Sequence, residues 1–257
     1  MNLLELDRIT KSFTTAAEPV TAISDASLTV GKGEFVSLIG PSGCGKSTIL
    51  DIVAGLTLPD EGVVSINGQV ITGQKGLVGY MPQKDVLFPW RTILDNVIVG
   101  LEVQGMRKAE AREQAIQLLP LFGLEKFASS YPDSLSGGMK QRAAFLRTFL
   151  AKKELMLLDE PFGKLDALTR MEMQQWLLSI WQTYQHTVLL VTHDIDEAIL
   201  LSDRIYFLSH RPGRIIAEVE VSLPRPRLRD SRLTLDPTFI AIKRQLLELL
   251  GAGDQTS

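Results

Sequence analysis

The run Gly40-Pro41-Ser42-Gly43-Cys44-Gly45-Lys46-Ser47 constrains this chain more than any other feature. It satisfies the pattern G-x-x-x-x-G-K-[ST]. The apolar run Phe35-Val36-Ser37-Leu38-Ile39 precedes it and a helical pattern over residues 48–55 follows. Strand, glycine-rich loop and helix in that order form a cradle for phosphate. Glycines let the backbone come close, successive N–H groups point at the anion, and the helix adds its positive N-terminus. Lys46 can reach the β- and γ-phosphates, and the Ser47 hydroxyl can ligate Mg²⁺. A strand that is apolar without alternation is buried on both faces, as in a parallel sheet covered by helices. Leu155-Met156-Leu157-Leu158 and Val188-Leu189-Leu190-Val191 repeat that signal, each followed by a helix pattern, so the fold class is α/β.

The rest of the chain divides by period. Leu4, Leu6 and Ile9 alternate with polar residues, and residues 23–30 form a second alternating run. Residues 63–66 and 70–71 flank Asn67-Gly68, a two-residue hairpin signal. A further short strand is predicted over 77–81. Helical spacing is predicted over 107–122 and over 136–151, with Ser136 as N-cap. The block from about 84 to 151 therefore reads as helices inserted between strands of one core. Residues 1–223 are expected to form one domain. Residues 224–257 are expected to hold a Pro/Arg-rich linker, Pro224-Arg225-Pro226-Arg227-Leu228-Arg229, and a final amphipathic helix. Asp236 caps that helix, Pro237 starts it, and Phe239, Ile242, Leu246, Leu249 and Leu250 share one face.

Composition removes several classes. Hydrophobic residues at 45% and charged residues at 22% exclude disorder, and the net charge of −3 argues against a general nucleic-acid binder. A mean hydropathy of +0.10 raises the question of a membrane span. The longest stretch without Asp, Glu, Lys or Arg begins at Met173 and contains Gln174, Gln175, Gln182, Gln185 and His186, which no lipid-facing helix carries. The start, with Glu5 and Asp7, does not read as a signal peptide. The single cysteine, Cys44, fits a reducing compartment. Beside Lys46 and at a helix N-terminus, its thiol is expected to be acidic and open to maleimide.

Two further sites carry chemistry. Asp159 and Glu160 end the apolar run 155–158, and strand ends are where open α/β sheets bind ligands. Asp159 would hold Mg²⁺ directly or through water, and Glu160 would act as general base on an attacking water. Leu135-Ser136-Gly137-Gly138-Met139 opens a helix and offers a second anion-binding N-terminus. The residues alone leave open whether the two helix ends share one nucleotide.

These motifs, in this order, resemble the ATP-binding subunit of an ABC transporter. Residues 40–48 resemble Walker A, Gln83 the Q-loop, residues 135–139 the signature, residues 155–160 Walker B, Leu165-Asp166 the D-loop and His193 the switch histidine. The resemblance covers residues 3–223. It implies a P-loop NTPase, RecA-like core with an N-terminal antiparallel β subdomain and an inserted α-helical signature subdomain. It implies two subunits packed head to tail, each ATP lying between Walker A of one and the signature of the other. Gly40, Pro41, Ser42, Gly43, Cys44, Gly45, Lys46, Ser47 and Thr48 would then hold the phosphates. Phe13 would stack on adenine, where a tyrosine is usual. Ser136, Gly137, Gly138 and Asp166 would complete the partner's site. Gln83 and His193 would join Lys46 and Glu160 in catalysis, with Ser47, Gln83 and Asp159 about the Mg²⁺. Met139 departs from the commoner glutamine, and Lys164 from a small residue.

Phe88-Pro89-Trp90-Arg91-Thr92, Leu165-Asp166-Ala167-Leu168-Thr169-Arg170, Thr192-His193-Asp194-Ile195-Asp196-Glu197-Ala198 and Arg211-Pro212-Gly213-Arg214 resemble importers of nitrate, sulfonates, taurine and thiamine precursors. That branch implies membrane permease subunits docked near residues 86–90, a periplasmic or surface-anchored solute-binding protein, and a place on the cytoplasmic face of the membrane. The alternative from another class is a soluble ABC-type ATPase acting on DNA or ribosomes. It lacks the second nucleotide domain or long coiled coil expected of it. An unrelated P-loop kinase or GTPase leaves residues 135–139 unexplained.

Overall fold

The structure, a computed structural model, describes residues 2–14, 18–84, 86–225 and 233–253. Residues 226–229 of the predicted linker lie outside them. Strands β1 (Asn2–Thr14) and β2 (Pro19–Gly31) pair antiparallel, and β3 (Phe35–Ile39) leads through the glycine-rich loop into helix α1 (Lys46–Val53). Next come β4 (Glu61–Ile66) and β5 (Gln69–Val70), a hairpin turned at Asn67 (φ 50°) and Gly68 (φ 75°) as the Asn-Gly pair predicts. After β6 (Gly79–Met81) the chain turns helical through α2 (Ile93–Val97), α3 (Val99–Val103), α4 (Lys108–Leu118) and α5 (Gly137–Leu150). It then alternates: β7 (Leu155–Asp159), α6 (Ala167–Tyr184), β8 (Thr187–Val191), α7 (Ile195–Leu201), β9 (Arg204–Leu208), β10 (Ile215–Glu220) and finally α8 (Pro237–Gly253). The four-stranded sheet runs β2-β1-β4-β5 and is antiparallel. The six-stranded sheet runs β10-β9-β3-β8-β7-β6, parallel except at its β10 edge.

The apolar runs are explained by packing on both faces. Along β7, Leu155 and Leu157 face the core shared with the antiparallel sheet, whereas Met156 and Leu158 face the helical block. Along β8, Leu189 and Val191 take the first side, Val188 and Leu190 the second. Each strand has period-2 geometry, but both of its faces are dry. The helical block is fixed to α6 by rings: Trp176 lies edge-on to Phe122 and Phe145 at 5.2 and 5.4 Å. Helix α8 buries Phe239, Ile242 and Leu246 against Val219, Val221 and α7, and Asp236 accepts from the Thr238 N–H at 2.7 Å.

Two predicted elements are shorter than expected. Strand β6 covers 79–81, not 77–81, because only Gly79, Tyr80 and Met81 pair with β7 and Leu77 is exposed. Helix α4 stops at Leu118 rather than 122, since Pro120 has no N–H to continue it. Among the described residues, no helix is long and apolar enough to cross a membrane.

Candidate functional site

The loop from β3 to α1 is built for close approach. Gly45 has φ 106°, and a Cβ there would lie 2.3 Å from Ile23 Cδ1, so glycine is required. No side chain caps α1 at Gly45, which leaves its first N–H groups for a ligand. The buried Lys46 ammonium donates to the carbonyls of Gly40 and Pro41 at 2.9 and 2.8 Å. Ser47 Oγ donates to Asp159 Oδ1 at 3.2 Å. Thr48 continues the first turn of α1. The expectation for Cys44 is overturned. Its side chain turns into the core behind the loop, and α1 begins only at Lys46. Burial raises its thiol pKa, and the nearby Lys46 only partly opposes that.

Three neighbouring parallel strands deliver the remaining groups at their carboxyl ends. Gln83 comes two residues after β6, Glu160 one after β7 and His193 two after β8. Gln83 Nε2 donates to Glu160 Oε2 at 2.9 Å, and His193 Nδ1 lies 3.3 Å from the same oxygen. Glu160 has φ 44°, a left-handed conformation that costs energy for a residue with a Cβ. Its N–H is pinned to Val191 O at 2.9 Å and its carbonyl accepts from Gly163 N at 3.2 Å. That turn aims the carboxylate across the strand ends. Burial pushes the Asp159 carboxyl up to about 6; the Ser47 hydrogen bond opposes the rise, and the charges of Glu160 and Asp51 add to it.

A polar bridge that sequence reading missed joins this cluster to Asp166. Arg170 Nη2 donates to Leu165 O at 3.1 Å, and its Nη1 lies 3.6 Å from Asp194, next to His193. Asp194 accepts from the Glu197 N–H at 3.0 Å, and Gln174 Nε2 donates to the buried Glu197 at 2.9 Å. Burial raises Glu197 to about 7. The only signal in the sequence was the helical spacing of Arg170 and Gln174.

Other predicted residues stand apart. Ser136 accepts from the Met139 N–H at 3.4 Å, and Gly137 and Gly138 pack against Leu165 and Thr169, not against the glycine-rich loop. A Cβ at Gly138 would meet Thr169 Cγ2 at 2.9 Å. Asp166 caps α6, accepting from the N–H groups of Leu168 and Thr169 at 3.1 Å, and the Thr169 bonds hold its carboxyl low. Phe13 is 42% exposed with Lys11 Nζ 5.5 Å from its ring centroid, so it is no core residue. Met139 packs on the helical core, and nothing in the structure explains Lys164.

The donors at Ser47 and Asp159 are all oxygen, which suits a hard cation that keeps waters and phosphate oxygens in its shell. Among the described residues no group of three or more His, Cys, Asp and Glu could hold a metal alone.

The family model described as ABC transporter matches residues 23–163. The formylaminopyrimidine import ATP-binding protein of Halalkalibacterium halodurans is 42% identical over 248 residues, 96% of this chain and 96% of that one. The nitrate import ATP-binding protein of a Synechocystis strain is 38% identical over 251 residues, 96% of this chain and 94% of that one. Among solved structures, a dimeric ATP-binding cassette in a post-hydrolysis state bound to ADP and Pi has a TM-score of 0.75 and 32% identity. It covers 86% of this chain and 100% of its own.

Proposed function

This chain belongs to the ABC transporter family as an ATP-binding, ATP-hydrolysing subunit, and from that premise we propose that it powers import of a small solute through partner permease subunits. One observation carries the reading: Gln83, Glu160 and His193 converge on one carboxylate oxygen beside Lys46, Ser47 and Asp159. In the proposed mechanism the phosphates of ATP lie over residues 40–48, and Lys46 leaves the carbonyls of Gly40 and Pro41 to meet them. Phe13 stacks on adenine. Ser47 and Asp159, with Gln83 nearby, would hold Mg²⁺, which when bound would supply charge neutralisation for the phosphates. Glu160 takes the proton of the attacking water, which Gln83 orients, while His193 bonds the γ-phosphate. Ser136, Gly137, Gly138 and Asp166 of a second copy, packed head to tail, close the site. Hydrolysis releases that grip.

The exposed side chains of Val86 (54%) and Trp90 (73%) support a permease-docking surface. Residues 1–223 would form the ATPase domain, with the block 84–151 as its signature subdomain and 224–257 as an appended tail. The working place would be the cytoplasmic face of the membrane, with a solute-binding protein feeding the permease from the other side. The proposed solute is of the nitrate, sulfonate, taurine or pyrimidine type, and the nitrate and formylaminopyrimidine import relatives support its nitrate and pyrimidine members. The test is a pull-down from native membranes with tagged Glu160→Gln chain and ATP. Recovery of integral permease subunits is expected. Recovery of nucleic acid or ribosomes instead would refute the import reading.

A further inference from the structure

Arg211 belongs to the connection between β9 and β10, and its guanidinium reaches the phosphate loop. Nε and Nη2 both donate to Gly43 O, at 3.2 and 2.8 Å. The same connection is wedged behind the next peptide: a Cβ on Gly213 would come within 2.1 Å of Cys44 O. Gly213 is fixed in turn. Its N–H donates to Ala22 O at 2.9 Å, and its carbonyl accepts from Ser24 N at 3.0 Å. The turn is closed by Ser209 N to Arg214 O at 2.9 Å and Arg214 N to Ser209 Oγ at 3.0 Å. A fixed base therefore presents a cation to one carbonyl of the loop.

The peptide is planar and trans, so its C=O and N–H point in opposite directions. Holding Gly43 O to Arg211 on one side aims the Cys44 N–H to the other. In this structure that N–H makes only a long 3.4 Å bond to Pro41 O, which an anion can displace. A cation on the carbonyl also polarises the peptide and strengthens its N–H as a donor. Lys46 holds two other carbonyls of the loop, Gly40 and Pro41, but must leave them to meet a phosphate. Arg211 can stay.

We infer that Arg211 is a positioning residue for nucleotide binding, presetting the Gly43–Cys44 peptide for phosphate. This rests on the reading of residues 40–48 as the ATP phosphate loop. Three variants of the full chain test it, with a fluorescent ATP analogue for Kd and steady-state hydrolysis for KM and kcat. Arg211→Ala is expected to raise Kd and KM about fivefold, well beyond any fall in kcat, because a contact made equally in ground and transition states acts on KM. Arg211→Lys, which keeps one donor and the charge, is expected to recover most of that loss, and the thermal midpoint is expected to stay put. Unchanged Kd and KM in Arg211→Ala would overturn the inference. So would a lowered midpoint with no rescue by lysine, which would make Arg211 a folding residue. Lys46→Ala is the control on the underlying reading. If it binds the analogue as tightly as the parent, the phosphate-loop reading itself falls, whatever Arg211 does.

Discussion

Replacing Asp159 by Asn separates what this carboxylate costs the fold from its proposed role at the nucleotide. Asp159 is 5% exposed, and burial with the charges of Glu160 and Asp51 raises it from 3.8 to about 6, against the opposing effects of Ser47 and Lys46. A raised carboxyl means the folded state binds more protons than the unfolded state between those two values, so stability falls as pH rises through that window. The whole penalty is present above the folded value and absent below the unfolded one. A rise of this size corresponds to about 3 kcal/mol. Asn keeps an acceptor for the Ser47 hydroxyl, though a weaker one, which leaves a net gain of about 1–2 kcal/mol for the free protein at pH 7.5. That is roughly 3–6 °C in melting midpoint for a chain of this size. Urea or thermal unfolding at pH 7.5 and at pH 4 would show the gain at the first pH and its disappearance at the second. The same variant is expected to lose the extra stabilisation that Mg²⁺ adds to ATP. A variant less stable than the parent at pH 7.5, or a gain independent of pH, would refute the reasoning.

Glu160→Gln preserves shape and an acceptor for Gln83, so ATP binding is expected to persist while kcat falls at least about 100-fold and ATP-bound dimers accumulate on gel filtration. Hydrolysis within tenfold of the parent would remove Glu160 as general base. Ser136→Arg in one half of a mixed dimer is expected to silence the site completed by the other subunit's Lys46. Loss of only the mutated subunit's own Lys46 site would exclude head-to-tail packing. Cys44 is expected to react with maleimide far more slowly than a free thiol in the folded protein, and to react fully in urea. Fast modification of the native chain would mean the loop opens readily.

The legible parts of the sequence were those with a local cause. The glycine-rich loop was readable because glycine is demanded where φ is positive, as at Gly45, and because β3 and α1 flank it. The parallel strands were readable because both of their faces are buried, and the 67–68 turn because Asn and Gly tolerate left-handed φ. What failed was orientation. Helix proximity and Lys46 both argue for an acidic Cys44 thiol, but the side chain turns inward, and burial outweighs the charge and hydrogen bonding of Lys46. The left-handed Glu160, which aims its carboxylate at Gln83 and His193, leaves no trace in residue type. The Arg170–Asp194 bridge and the Arg211–Gly43 contact join segments 24 and 168 residues apart, beyond the reach of local pattern.

The two helix ends proposed to bind anions differ in a way that bears on assembly. The α1 end is furnished: Lys46 is the first residue of α1, Asp159 and Glu160 stand at the end of β7, and Gln83 and His193 close on the Glu160 carboxylate. The α5 end has Ser136 as its cap through a single 3.4 Å bond, exposed Gly137, and packing against Leu165 and Thr169, but no titratable group among those contacts. A helix N-terminus with two glycines can bind an anion but supplies neither metal ligand nor base. Such an end adds to catalysis only by meeting a nucleotide already held elsewhere. Within one chain its neighbours are the Asp166 segment rather than residues 40–48. That asymmetry supports the proposed head-to-tail pair. The Arg170 bridge lies between the two segments concerned, bonding Leu165 O beside Asp166 and lying 3.6 Å from Asp194 beside His193.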